Sequence, residues 1–297
     1  MGGQQHMTGI ASRSSIEPRA SVIVPAYNEE ATIGRLLDAL LDTAPDIEIC
    51  VACNGCRDET EDICRAYAPR VRVFVQDHAS KVDALNMALR KSLGAVKVIV
   101  DADILIGARD VERLCELAER PGVDVVQPRL HYHAEDSDFA VRAYLRAWVR
   151  HPYFRTKIGA AYALSPAGVS RLGTFPQIVA EDEYVRRKLY DGALWTEDAK
   201  AHVYMPTTLW ALIRIRSRSL SGAESLEHIL GHLEPPPVPG FKPAFLRMLF
   251  GGAPVAAAVY AFVAAAARLR SRLRRGRQTW ERDGTSRGPG QVARRAG

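Results

Sequence analysis

Short apolar segments alternate with amphipathic segments from residue 20 to about residue 130, and this alternation limits the fold more than any other feature. The apolar segments are typical of buried β-strands: ASVIVPAY (20–27), DIEICVAC (46–53), VRVFVQD (71–77), VKVIVDAD (96–103) and DVVQPRL (124–130). The segments between them place apolar residues at helical spacing: EATIGRLLDALLDTA (30–44), SKVDALNMALRKSLG (80–94) and RDVERLCELAER (109–120). This order predicts an α/β protein with a single mostly parallel sheet and flanking helices.

The pattern becomes less regular after residue 131. A polar and aromatic helix is predicted through Trp148, then a strand at IGAAYAL (158–164) and a helix in VAEDEYVRRKL (179–189). An arginine stands at every second position of LIRIRSRS (212–219), which predicts a strand with one basic face. Two local signals mark helix ends: Asp58 and Glu61 have the spacing of a capping box, and Gly94 predicts the end of the preceding helix.

Three regions are predicted along the chain of 297 residues. Residues 1–18 open with MGGQQHM, which resembles a vector-derived leader, and they are predicted to be disordered. Residues 19–234 form the α/β domain. Residues 235–297 contain a linker that begins in the proline-rich stretch EPPPVPG (234–240), an alanine-rich helix and a basic tail, and we expect a helical appendage there.

The distribution of charge suggests contact with a membrane. The net charge is +6, and much of the excess lies in RLRSRLRRGR (268–277), directly after the apolar run Leu249–Ala267. This arrangement is typical of peripheral attachment to an anionic membrane surface. A helix packed on the domain and a membrane span are the alternatives, although Gly251, Gly252 and Pro254 make a span borderline. Basic residues that interleave with aromatic residues along a groove are not seen, so nucleic acid is not expected as a partner.

Five cysteines are present, and three of them form the triplet Cys50, Cys53 and Cys56. A zinc or iron–sulfur site requires four converging ligands, and the fourth is missing at suitable spacing. We therefore expect the triplet to end a buried strand before a turn at Asn54 and Gly55. The odd number of cysteines and the lack of a secretory signal indicate a reducing compartment, so we expect the cytoplasm, including the inner face of the membrane.

Acidic and polar clusters follow three of the predicted strands: PAYNEE (25–30), CNGCRD (53–58) and DAD (101–103). The carboxyl ends of parallel strands meet at one edge of a sheet, where ligands bind. Asp101 and Asp103 emerge there, and their carboxylates suit a divalent cation such as Mg²⁺ or Mn²⁺. A solvated acidic turn is the alternative interpretation of the same residues.

Five ordered motifs together resemble glycosyltransferase family 2. They are SVIVPAYNEEATIGRLLDAL, SKVDALNMAL, VIVDAD, IGAAYALS and AEDEYVRR, and they span about residues 20–218. The resemblance implies a GT-A fold with a Rossmann-like sheet. It also implies an inverting enzyme that transfers a sugar from a nucleoside-diphosphate sugar to an acceptor hydroxyl, with a divalent metal (Mn²⁺ or Mg²⁺) as cofactor.

The resemblance implies which residues form the donor site, from their positions in the matching motifs. The first loop would contact the nucleoside through Pro25, Ala26, Tyr27 and Glu29. Asn54 stands where many relatives carry an acidic residue, because CNGCRD replaces the commoner DDGSTD, and this leaves the base undefined. Lys81 would lie near the donor phosphate or ribose, and Asp101 near the ribose or sugar. Asp103 would bind the metal.

The remaining assignments concern catalysis and the acceptor. The resemblance favours Asp182 as the general base, with Glu181 as second choice, although acids in a first turn also stabilise the helix dipole. His202 is a candidate for the metal shell or a structural residue of a strand. Arg214, Arg216 and Arg218 could stabilise the leaving diphosphate or form a solvated face. An aromatic zone for the acceptor or for core packing comprises Trp148, His151, Tyr153, Phe154 and Tyr162.

Gly159 and Ala160 would let a substrate approach the backbone. Natural products, lipid-linked acceptors and glycans all remain open as acceptors. A sugar nucleotidyltransferase is one alternative function, but PAYNEE lacks the glycines and basic residues that hold a triphosphate. A nucleotide-sugar-binding module without turnover is another, and the presence of both DAD and ED argues against it.

Overall fold

The structure is a computed structural model that describes residues 17–230, 233, 241–250 and 253–273. The leader up to residue 16, the proline-rich linker at 234–240 and the tail from residue 274 onward lie outside the described residues. The predictions made for those three segments therefore stay predictions.

Seven strands form one sheet in the described part of the chain, in the order β3-β2-β1-β4-β6-β5-β7. They are β1 (Ala20–Ala26), β2 (Ile47–Asn54), β3 (Val71–Gln76), β4 (Val96–Val100), β5 (Val125–His133), β6 (Ala161–Leu164) and β7 (Ala193–Tyr204). Only β6 runs antiparallel to its neighbours β4 and β5, whereas the other four pairings are parallel. The predicted mostly parallel sheet is confirmed.

Helices connect and cover the strands. They are α1 (Ile33–Leu40), α2 (Thr60–Arg65), α3 (Lys81–Lys91), α4 (Ala108–Ala118), α5 (Phe139–Trp148), α6 (Pro166–Leu172), α7 (Glu181–Leu189), α8 (Leu209–Leu230), α9 (Phe241–Phe250) and α10 (Pro254–Leu273). Two short 3-10 helices lie at Pro152–Arg155 and Tyr190–Gly192. The predicted helical segment at the C-terminal end is present.

Both faces of the sheet are buried, which explains the uninterrupted apolar runs of the central strands. On β1, Val22 and Val24 belong to a core shared with α1 and α4, whereas Ile23 belongs to a core shared with α3 and α7. Successive strand residues point to opposite faces, so a strand covered on both sides needs apolar residues at every position. Full burial of each such side chain contributes about 1.5–3 kcal/mol.

Gly94 does not end a helix as predicted. Helix α3 ends at Lys91, and Ser92 already has extended backbone angles. Gly94 instead passes directly against the backbone of Ala20 on β1, where a Cβ atom on residue 94 would overlap the Ala20 carbonyl carbon. The glycine is therefore required by the close approach of two chain segments, which the local sequence pattern did not reveal.

The segment LIRIRSRS lies within α8, so the predicted strand at residues 212–219 is wrong. Leu212 and Ile213 are adjacent in sequence, and both are buried against Val141 and Tyr144 of α5 and Val263 of α10. Adjacent buried positions fit one stripe of a helix and do not fit a two-residue strand period. The alternating segment is too short to distinguish the two-residue period of a strand from the period of about 3.6 residues in a helix.

Helices α5, α8 and α10 form a separate layer with its own apolar contacts. Val263, Ala257 and Ala267 of α10 are buried in it. Within the described ranges, every helix is either too short or too polar to cross a membrane.

We predict that Gly94→Ala lowers the free energy of unfolding by about 1–3 kcal/mol or more, because the methyl group would overpack against the Ala20 backbone. Gly34→Ala is the matched control, since its Cβ would meet Tyr67 at an ordinary 3.6 Å within helix α1. Chemical denaturation of both variants measures the difference. Equal stabilities would show that the β1 contact does not constrain residue 94.

Candidate active site

A lysine side chain joins the two acidic motifs. Lys81 is the first residue of α3, and its Nζ lies 2.6 Å from Oδ1 of Asp101, which directly follows β4. The same Nζ forms an ion pair with Oε1 of Glu181, the first residue of α7. Motifs that are 80 residues apart in sequence, at about residues 101 and 181, therefore meet at one edge of the sheet.

The charged side chains at this junction are partly buried, with exposed fractions of 20% for Lys81, 29% for Asp101 and 8% for Glu181, and the charges do not balance. Burial alone would lower the pKa of Lys81, but the carboxylates of Asp101 and Glu181 outweigh it and hold that pKa well above its ordinary value. Burial raises the pKa of Asp101, and the Lys81 ammonium opposes this rise. Asp101, Glu181 and the adjacent Asp182 surround one ammonium group, so the junction favours the binding of a further cation.

Asp182 has the electrostatic environment of a proton acceptor. Burial and then the negative charge of Glu181 raise its pKa to about 7, and the Lys81 ammonium opposes the rise. A carboxylate with a pKa near neutral pH can take a proton from a substrate group and release it again.

The backbone turn before β6 holds the Asp182 carboxylate. Gly159 has a φ of 141° and Ala160 a φ of 66°, and a Cβ atom on Gly159 would overlap the Asp182 carboxylate. The Gln127 side chain fixes this turn, because its Oε1 accepts a hydrogen bond from the Gly159 N–H at 2.7 Å. The predicted open backbone at Gly159 is therefore occupied by the Asp182 side chain.

Tyr162 on β6 lies in the electrostatic field of the same carboxylates. It is buried, and its hydroxyl has no hydrogen-bond partner in the structure. Burial and then the charges of Asp182 and Glu181 raise its pKa well above the ordinary value. Sequence analysis grouped Tyr162 with an aromatic zone and missed this position beside the acids.

His202 on β7 lies next to the segment that follows DAD. Its backbone exchanges two hydrogen bonds with Leu105, two residues beyond Asp103, at 3.1 and 2.8 Å. Its ring Nδ1 lies 2.9 Å from Nε2 of His133 on β5. This hydrogen bond fixes the orientation of the His202 ring. His133 was not predicted, although its position two residues after His131 on one strand was a visible signal.

The chemistry of these donors suits a hard divalent cation that is shared with a ligand. In the described residues no group of three His, Cys, Asp or Glu side chains is placed to hold a metal alone. Mg²⁺ and similar ions usually take one or two protein ligands and complete their shell with substrate phosphates and water. Asp103 and His202 are the side chains that could supply those two ligands.

The loop after β1 is fastened to the loop after β2. The Asn54 amide donates to the Ala26 carbonyl oxygen at 2.8 Å, and the Cys56 thiol lies 3.4 Å from the same oxygen. The Glu29 N–H donates to Oγ1 of Thr60 at 2.6 Å. The two predicted nucleoside loops therefore form one unit, in which the Asn54 amide group already binds backbone.

Other members of the first loop are partly covered. Pro25 is paired within the sheet opposite Ala52, and Glu29 is buried with its Oε2 accepting from Thr32. Tyr27 is half-buried. The predicted capping box is not formed, because α2 begins at Thr60 and the Asp58 carboxylate accepts from the Thr60 N–H and hydroxyl.

The pKa values of the three thiols in the cysteine triplet are raised, so these thiols stay protonated. Burial raises the pKa of Cys50 to about 12, and a hydrogen bond with Cys53 followed by burial raises the pKa of Cys56. A protonated thiol is neither a nucleophile nor a metal ligand. Cys53 and Cys64 belong to the core behind the loop, which agrees with the predicted structural role of the triplet.

Arg216 lies in the helical layer, on α8. Its guanidinium carbon is 5.1 Å from the centre of the Trp148 ring, and Trp148 also packs against Phe154. Burial and then the charge of Arg216 lower the pKa of His151. The predicted role of Arg216 in donor binding is untested by these contacts and stays a prediction.

Tyr153 makes polar contacts that the other residues of the aromatic zone around Trp148 do not make. Its hydroxyl donates to Glu183 at 3.2 Å, and Glu183 also accepts two hydrogen bonds of 2.7 Å from Arg186. The zone therefore divides between helix packing around Trp148 and polar contacts beside Asp182.

Sequence and structure comparisons agree on the class of protein. The profile of Glycosyl transferase family 2 matches residues 21–169, half of the chain. The uncharacterized glycosyltransferase EpsJ of Bacillus subtilis is 34% identical over 113 residues, which cover 37% of this chain and 33% of that protein. The glycosyltransferase GlyA of Streptococcus pneumoniae is 25% identical over 228 residues, 69% of this chain and 32% of that protein. The chain thus spans about a third of the length of these curated relatives.

Solved structures show the same fold. The mannosyltransferase PcManGT from Pyrobaculum calidifontis superposes with a TM-score of 0.56 at 24% identity, over 86% of this chain and 76% of that one. Glucosyl-3-phosphoglycerate synthase from Mycobacterium tuberculosis gives a TM-score of 0.53 at 20% identity, over 75% and 81%. With the family profile, the ordered motifs and this shared GT-A architecture, the chain belongs to glycosyl transferase family 2.

Proposed function

We propose that the protein transfers a sugar from a nucleoside-diphosphate sugar to an acceptor hydroxyl, with inversion at the anomeric carbon. The observation that carries this proposal is the Lys81 bridge between Asp101 and Glu181, which brings the acid of the DAD motif close to Asp182 and its pKa of about 7. A single displacement needs this arrangement, because the acceptor hydroxyl must lose its proton to the base while its oxygen attacks the anomeric carbon of the bound donor.

Molecules that similar proteins bind support the choice of substrate. The Pyrobaculum mannosyltransferase was solved with GDP-mannose and Mn²⁺. The mycobacterial synthase was solved with Mn²⁺, UDP and glucosyl-3-phosphoglycerate. An undecaprenyl-phosphate 4-deoxy-4-formamido-L-arabinose transferase of Pseudomonas aeruginosa and a validoxylamine A glucosyltransferase of Streptomyces hygroscopicus also match the chain. These names leave the sugar, base and acceptor of this protein open.

Asp182 acts as the general base in this proposal. The acceptor hydroxyl becomes a better nucleophile as its proton moves to the Asp182 carboxylate. Glu181 is engaged with Lys81, so its carboxylate holds the ammonium in place. Gly159 leaves the space that the Asp182 side chain occupies.

The donor lies between the first loop and Asp101. Lys81 supplies positive charge near the diphosphate, and the loop formed by Tyr27, Glu29 and Asn54 borders the nucleoside. Asp103 and His202 would hold a divalent metal, Mn²⁺ or Mg²⁺. When bound, such an ion stabilises the leaving diphosphate as a Lewis acid. Peripheral contact of the C-terminal segment with the inner face of the cytoplasmic membrane is also part of the proposal.

We predict that Asp182→Asn retains nucleotide affinity but lowers kcat by about 100- to 10,000-fold, because the proton acceptor is lost. Wild-type kcat/KM should rise as pH increases through about 7, since the base works only when deprotonated. Glu181→Gln removes a neighbouring negative charge and should move this midpoint to lower pH. If the Asp182→Asn variant were active and the Glu181→Gln variant inactive, the general base would be Glu181.

We predict that Gly159→Ala lowers kcat by at least about 100-fold, because the new methyl group displaces the Asp182 carboxylate. The matched control is Gly173→Ala, which has a φ of 65° with nothing within 4 Å of its Cβ. The control should lose only about 1–2 kcal/mol of stability to backbone strain. Equal kcat values in the two variants would remove the proposed role of the Gly159 contact.

We predict that Asp103→Ala and His202→Ala each weaken Mn²⁺-dependent nucleotide binding by tenfold or more. A thermal-shift panel of UDP, GDP, dTDP and CDP first selects the nucleotide, because ligand binding to the native state raises its stability. Titration calorimetry with and without Mn²⁺ then measures the effect. His131→Ala is the control, since the centres of its ring and the His202 ring are 5.7 Å apart. A metal dependence unchanged in His202→Ala would exclude that residue as a ligand.

A further inference from the structure

Helix α10 has two apolar faces, and only one of them is buried. The inner face packs against α5 and α8 through Ala257, Val263 and Ala267. The opposite face carries Val255, Phe262, Leu269 and Leu273, whose exposed fractions lie between 54% and 78%. These four residues are spaced by seven, seven and four positions, so they form one stripe along the helix. A helix that only packed on the domain would present polar residues on this face.

The exposed apolar surface continues onto the neighbouring helices. Helix α9 contacts α10 and exposes Leu246, Leu249 and Phe250, of which Phe250 is 81% exposed. Of the fifteen large apolar side chains that are exposed in the described ranges, seven lie between residues 246 and 273. Trp210 of α8 is also exposed and lies 5.2 Å from the Arg270 guanidinium. A concentration of this kind marks an interaction surface.

The sequence that contains α9 and α10 carries charged residues of one sign only. Residues 235–280 contain eight Lys or Arg and no Asp or Glu. The whole chain has a net charge of +6, so the rest of the protein carries a small excess of acid. Near the end of α10, Arg268 and Arg272 lie on one side of the stripe and Arg270 on the other, as their 100° spacing per residue requires. Long arginine side chains in such positions can extend toward phosphate groups while the stripe is buried.

We propose that the outer face of α9 and α10 docks on an anionic lipid surface, with α10 lying in the plane of the membrane. Val255, Phe262, Leu269 and Leu273 enter the acyl boundary, and Arg268, Arg270 and Arg272 bind lipid phosphates. A second copy of the chain is a poorer occupant, because its own α9 and α10 would bring the same basic charge with no acidic partner. This inference rests on the peripheral membrane contact proposed above and names its surface and its lipid, whereas its test does not depend on the transferase activity.

The experiment measures co-sedimentation of the full chain with phosphatidylcholine vesicles and with vesicles that also contain phosphatidylglycerol. We expect binding only to the anionic vesicles, with an affinity that falls as salt is raised. The double variant Phe262→Ser/Leu269→Ser should reduce the partition coefficient at least tenfold. Replacing Arg268 and Arg272 by Gln should reduce it about fivefold for each arginine.

The matched control is Phe139→Ser, an exposed phenylalanine at the start of α5, which should bind like the wild type. Thermal unfolding verifies that each variant is folded, and light scattering gives its oligomeric state. Equal partition of wild type and Phe262→Ser/Leu269→Ser would overturn the proposal. A wild-type dimer that this double variant converts to a monomer, without vesicle binding, would assign the surface to a second copy instead.

Discussion

The partly buried ammonium of Lys81 holds together carboxylates that would otherwise repel one another. Asp101 follows a central strand and Glu181 opens a helix much later in the chain, and both lie against the same nitrogen atom. Removing one partner of a buried ion pair leaves an uncompensated charge, which is strongly destabilising. Lys81 therefore links the segment after β4 to the start of α7.

The same electrostatic arrangement gives neighbouring acids different roles. Glu181 is paired with Lys81, whereas Asp182 lies next to that negative charge, and burial together with the charge of Glu181 raises its pKa to about 7. Two adjacent residues of one helix thus differ because one has a counter-ion and the other faces the Gly159 turn. The excess of negative charge at the junction favours a further cation there.

The helical layer formed by α5, α8 and α10 separates two kinds of surface. Its inner contacts bury apolar residues of all three helices around Tyr144 and Val263. Its outer side exposes apolar and basic residues on α9 and α10. Arg216 belongs to the inner contacts through Trp148, so the arginines of α8 and of α10 lie in different environments.

The sequence by itself determined the alternation of strands and helices up to about residue 130, the two-sided sheet and the identity of the acidic motifs. These follow from the period of apolar residues and from residue types, which are local properties. The order of strands in the sheet, the contact of Gly94 with Ala20 and the helical state of residues 212–219 required the tertiary structure. So did the meeting of Lys81 with both acidic motifs, the Gly159 space for Asp182 and the His133–His202 hydrogen bond. Each of these joins residues far apart in sequence, and a local pattern carries no information about which distant backbone or side chain will fill the space beside it.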